Sequence, residues 1–146
     1  MQDFAPIVRQ IKREQAIRVR RWRKQMSGCS WQVRYADGRV ERWIESPFPK
    51  TPISLAIFLH EVGHHVIGFD TYKLRCEEEY HAWKWAIDRM QSLGVEPDEK
   101  VLSRFERSMQ YAVGKALRRR IRELPDVLRA FAPEHIEIRS PQNAMP

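Results

Sequence analysis

The sequence has no disulfide framework. Only two cysteines, Cys29 and Cys76, stand among 146 residues, far apart and outside any C-x-x-C pair, which predicts two free thiols in a reducing compartment. Long apolar runs are also missing. The longest, Ile53 to Leu59, is interrupted by Ser54 and stops at His60, well short of the roughly 20 residues that span a bilayer. No membrane partner is expected. The opening stretch MQDFAPIVRQIKREQ lacks the apolar segment and small-residue cleavage site of a secretory signal, so the expected location is cytoplasmic. Internal repeats and low-complexity tracts are absent. Acidic residues are in the minority, 19 against 26 basic, for a formal net charge of +7. That excess permits an acidic partner without identifying one.

What is present suits one packed domain. A hydrophobic share of 42% and a charged share of 31% exclude wholesale disorder, and the length suffices for one core but not two. The organisation read from the chain is a basic N-terminal helix over residues 1–28, a main domain over 29–132 and a loose tail over 133–146. The helix is inferred from Ile7, Val8, Ile11, Ala16, Val19, Trp22 and Met26, apolar residues at three- and four-residue steps between basic flanks. Its cations, within residues 9–24, and a second basic cluster at residues 115–122 are compatible with a nucleic-acid partner.

The segment WQVRYADGRVERWIE, residues 31–45, carries the β signal. Asp37-Gly38 suits a two-residue type I′ turn, which would oppose Tyr35 with Val40, Arg34 with Glu41 and Trp31 with Ile44. Thr51 before Pro52 then reads as a helix start, with Gly68 as the stop. The helix between them, PISLAIFLHEVGHHVI, is apolar nearly all round and must be buried. A second helix runs from about Cys76 to Leu93, a third follows Asp98, and a short fourth lies near 126–132.

Chemistry concentrates in the buried helix. His60-Glu61-Val62-Gly63-His64 is an H-E-x-x-H pattern, and histidines four residues apart share one helical face and can hold one Zn2+. Glu61 sits about 100° round from His60 and is expected to act as general base on a metal-bound water rather than as a ligand. His65 faces elsewhere and reads as a hydrogen-bonding histidine. The third ligand is expected from Glu77-Glu78-Glu79. Glu79 lies nearest the apolar stripe of its helix, and the other two read as favourable charge at a helix N-terminus. Asp70 is the alternative third ligand, because its spacing from His64 also suits a carboxylate ligand.

HEVGHH followed by EEEYHAWKWA resembles the gluzincin peptidases, and within them the ImmA/IrrE type, whose second motif reads roughly E-x-x-A-N-x-F-A. Glu79, Ala82, Trp85 and Ala86 match that motif, while Trp83 stands where the family has a polar Asn. The resemblance spans about residues 31–93. It implies an α+β, zincin-like fold in which a small antiparallel sheet packs on the active-site helix, and a zinc metalloendopeptidase acting on a protein or peptide, including regulatory or DNA-associated proteins. An exposed hairpin edge fits this, since it can bind an extended peptide by strand addition. The rival reading is a catalytically inactive, zinc-stabilised nucleic-acid-binding or regulatory protein.

Overall fold

The computed structural model describes residues 2–141. Helix α1 spans Ala5–Glu14 with proline in its first turn and buries Val8 and Ile11. The expected single helix over 1–28 is not found: α1 stops at Glu14, Ala16 takes a left-handed φ of 51°, and strand β1 follows over Ile17–Arg23. The physical reason is a change of period. Ile17 is buried and Val19 half-buried while Arg18 and Arg20 are exposed, an alternation that β-branched residues favour in a strand.

Strands β2 (Cys29–Arg34) and β3 (Val40–Pro47) complete a mixed three-stranded sheet in the order β1-β3-β2. β1 runs parallel to β3, and β2 antiparallel to it, so the sheet is not the purely antiparallel one expected. The hairpin register also differs by one residue. Arg34 opposes Val40 and Trp31 opposes Trp43, because the turn is longer than a two-residue I′ turn. Gly38 donates its backbone N–H to the Tyr35 carbonyl, Tyr35 donates to the Arg39 carbonyl, and only Gly38 has a positive φ, 93°. This is a three-residue hairpin loop with glycine at its left-handed position. The shift stacks Trp31 on Trp43, with centroids 6.4 Å apart.

Helix α2 covers Pro52–Ile67, with Thr51 as its N-cap in a capping box with Ser54 and Gly68 as its C-cap. It is buried almost throughout and packs against β3 on one side and α3 (Arg75–Ser92) on another. Helix α4, Glu99–Arg118, starts at the Asp98 cap and closes the far side of α3 through Val101, Met109 and Val113. A 3-10 helix at Asp126–Phe131 follows. The segment after Pro133 is not a loose tail within the described residues. Arg139 bridges Glu123, exchanges backbone hydrogen bonds with Arg122 and Leu124, and Ile136 and Ile138 pack on the core; the expectation for residues 142–146 lies outside the described residues. The fold is α+β. No helix among the described residues is long and apolar enough to cross a membrane.

Candidate metal centre

His60 and His64 sit one turn apart on the face of α2 that meets the start of α3. Two glycines set the approach. A Cβ on Gly63 would meet the Ala82 carbonyl oxygen at 2.7 Å, so the missing side chain is what lets α2 and α3 touch backbone to backbone. A Cβ on Gly28 would lie 2.6 Å from the Glu45 carbonyl oxygen and 2.9 Å from Glu61 Oε2. There the chain passes from β1 to β2 across the sheet end, directly above the carboxylate.

With the helices this close, Glu79 reaches both histidines. Its Oε2 lies 3.0 Å from His60 Nε2 and its Oε1 3.1 Å from His64 Nε2. The three residues offer ligand atoms that all lie within 4.8 Å of one another. Asp70 is exposed on the turn after α2 and is not in this group.

Glu61 is buried and stands beside the group rather than in it. Its Oε2 is 3.6 Å from His60 Nδ1, and Oε1 accepts a hydrogen bond of 3.0 Å from the Ser30 hydroxyl of β2. Burial works to raise its pKa, but His60, the charge on His64 and the Ser30 bond outweigh that and hold it below its usual value. These contacts favour the charged form of the carboxylate. Burial likewise opposes charge on the histidines. The Glu78 and Glu79 carboxylates overcome it at His64, whose pKa is pushed up to about 9; Glu61 and Glu79 do so at His60, while Glu79 is held below the carboxylate range.

Glu78 joins the cluster although its helix-end position alone does not predict it. Rather than serving only as charge at the helix end, it is buried at 2% exposure, and its Oε2 accepts from His64 Nδ1 at 2.7 Å and from Arg75 Nη1 at 2.8 Å. This contact engages Nδ1 and leaves Nε2 as the His64 nitrogen that faces Glu79. The overlooked signal is the row Glu78, Ala82, Ala86 at four-residue steps. Small residues mark the face that meets α2, beside the stripe of Cys76, Tyr80, Trp83, Ile87 and Met90.

Trp83 lies flat on His60, with centroids 4.3 Å apart and planes at 15°. The bulky residue at this motif position thus buttresses His60 by packing. His65 is buried, and its Nε2–H donates to the Trp43 carbonyl at 2.9 Å, away from the cluster as expected. Both thiols are free. Cys29 lines the cavity and accepts from Arg23 Nη2 at 3.3 Å, outside the candidate ligand group.

The centre opens into a cavity of about 680 Å3. Ser27–Ser30 line it from the sheet, and Arg104, Arg107, Tyr111, Lys115 and Arg119 line it from α4. Arg104 is half-buried, and burial and then Arg107 pull its pKa below the usual value, while Glu61 acts the other way. The two basic clusters fall apart structurally. Much of residues 9–24 lies on β1, where Arg18 pairs with Glu41 and Arg20 and Arg23 pair with the buried Glu45. Part of residues 115–122 faces the cavity. Comparison of the chain with protein-family models, curated proteins and solved structures finds no match.

Proposed function

We propose that the protein is a zinc-dependent metallopeptidase of zincin type, with His60, His64 and Glu79 as metal ligands and Glu61 as general base. The observation that carries this reading is the convergence of two Nε2 atoms and one carboxylate from α2 and α3, with the buried Glu61 beside them and a cavity in front. The donor set suits the ion. Two imidazoles and a carboxylate form a recognised catalytic zinc ligation, and His64 is oriented through its other nitrogen by Glu78. Bound there, the ion would supply Lewis acidity, polarising a peptide carbonyl and acidifying water.

The remaining work falls to the chain's own groups. β2 is an edge strand, and its free backbone donors and acceptors can align an extended peptide along the cavity. Glu61 accepts a proton from the attacking water and returns it to the amine nitrogen as the C–N bond breaks. Ser30 holds Glu61 in place from β2 itself, so the strand that would bind the peptide also positions the base. Arg104 lines the same cavity as Glu61 and is the chain's candidate for stabilising negative charge that develops on the peptide oxygen. Two unpaired thiols suit a cytoplasmic site of action.

Elemental analysis of untagged protein purified without added metal tests the ligand set. We expect one zinc per chain in wild type and Asp70→Ala, and none in Glu79→Ala. Glu61→Gln should keep the zinc and lose hydrolysis of a quenched peptide library by at least about 100-fold. An undiminished Glu61→Gln protein, or a wild type that takes up no zinc, would overturn the proposal.

A further inference from the structure

The cavity in front of the candidate centre is basic along one wall. Arg104, Arg107, Tyr111, Lys115 and Arg119 follow one another along α4 and its C-terminal end at steps of three and four residues and all line it. They form one stripe beside the helix's buried face. None of the four cations forms an ion pair among the described residues, unlike the arginines of β1 that reach Glu41 and Glu45. Like charges aligned on a concave wall repel one another and focus a positive potential into the cavity. The partly buried Arg104 lines the same cavity as Glu61, so the basic wall reaches the end that holds the candidate centre.

The dimensions narrow the ligand. The 15-residue step from Arg104 to Arg119 rises about 22 Å along a helix, the length of roughly seven residues of extended peptide. Gly28, Cys29 and Ser30 bring the edge strand to the same cavity, and an edge strand offers backbone hydrogen bonds that only a polypeptide matches. A single-stranded nucleic acid would use the cations but needs successive aromatic platforms; the stripe has one aromatic, Tyr111.

We propose that the cavity takes an acidic protein segment in extended form, its backbone pairing with β2 and its carboxylates held by Arg104, Arg107, Lys115 and Arg119. The inference rests on the peptidase reading and adds the substrate class to it.

The test is a binding measurement on the full chain carrying Glu61→Gln, which leaves every cation in place. Fluorescence anisotropy compares a labelled Glu-Ala repeat of about eight residues with a Gln-Ala repeat of equal length, and with an oligothymidylate of similar length. The Glu-Ala peptide should bind at least about tenfold tighter than the Gln-Ala peptide, and Arg107→Glu with Lys115→Glu should remove at least about tenfold of that affinity. Arg9→Glu with Arg13→Glu, the same charge change on exposed positions of α1, should shift it less than about twofold. Should the α4 reversal fail to fold by circular dichroism, Arg107→Gln with Lys115→Gln carries the same comparison. Equal binding of the two peptides overturns the proposal. So does an α1 reversal as damaging as the α4 reversal, or an oligothymidylate that binds tighter than Glu-Ala and is lost with the α4 cations. Zinc content and hydrolysis do not enter this readout. Acidic-peptide binding that depends on α4 in a protein without zinc would refute the peptidase reading alone, and hydrolysis without acidic preference would refute this inference alone.

Discussion

Gly63 occupies the second free position of the H-E-x-x-H segment, and its lack of a side chain sets the separation of α2 and α3. In Gly63→Ala the new methyl would lie 2.7 Å from the Ala82 carbonyl oxygen, whereas an ordinary carbon-to-oxygen contact needs about 3.3 Å or more. Helix α3 must therefore retreat by roughly 0.6 Å, and the obstacle is helix backbone, which cannot swing away as a side chain would. Overpacking of this kind costs about 1–3 kcal/mol. Because backbone must move, the upper part of that range applies, offset by about 1 kcal/mol from the better helix propensity of alanine. The net loss is about 1–2 kcal/mol, read as a drop in Tm of roughly 3–7 °C. The same retreat draws Glu79 away from His60 and His64, and a ligand held by packing tolerates only about 0.5 Å of error. Zinc affinity, measured by competition with a chromophoric chelator, should therefore fall by about tenfold or more. A Gly63→Ala protein as stable as wild type, with unchanged zinc affinity, would refute the claim that backbone contact between the helices builds the site.

Two further predictions concern carboxylates. Glu78→Gln keeps the shape of the side chain and removes the charge behind His64, so zinc affinity should fall about 10- to 100-fold in the chelator assay while the fold is retained; unchanged affinity would place Glu78 outside the site. Glu45 is buried among Arg20, Arg21 and Arg23, and the Arg23 hydrogen bond holds its pKa below the ordinary 4.5. A carboxylate depressed in the folded state stabilises above its unfolded pKa and loses that contribution as pH falls through its folded pKa. Urea denaturation should therefore separate wild type from Glu45→Gln most widely above about pH 5, with the gap narrowing as the pH drops below 4.5. A gap that does not change with pH would remove Glu45 from the acid response.

How much of this was legible in the chain differs by element. Helix α2 could be read from end to end. Thr51, Pro52 and Gly68 are local signals whose effect is decided within one turn, and the run between them is too apolar to lie anywhere but the core. The histidine pair and the flanking glutamate were equally readable, because helical periodicity alone places residues four apart on one face. The nearness of Glu79 to the apolar stripe agrees with its position beside the two histidines. Strand β1 was not, since Ile17 and Val19 satisfy a strand's alternation while Val19, Trp22 and Met26 satisfy a helix's, and only pairing with β3 decides between the two. The hairpin register depended on one residue of turn length, which a positive φ at Gly38 alone, rather than at both Asp37 and Gly38, determines.

By itself, then, the sequence determined the caps, the buried helix and the spacing of its ligand-type residues, all matters of short range. Tertiary structure alone decided the rest: that Trp83 lies flat on His60, that four arginines of the N-terminal cluster pair with Glu41 and Glu45 of β3, and that Arg104, Arg107 and Lys115 of α4 face a cavity. Each of these depends on which surface another element presents at that point, and contact between residues distant in the chain leaves no periodic trace in either segment.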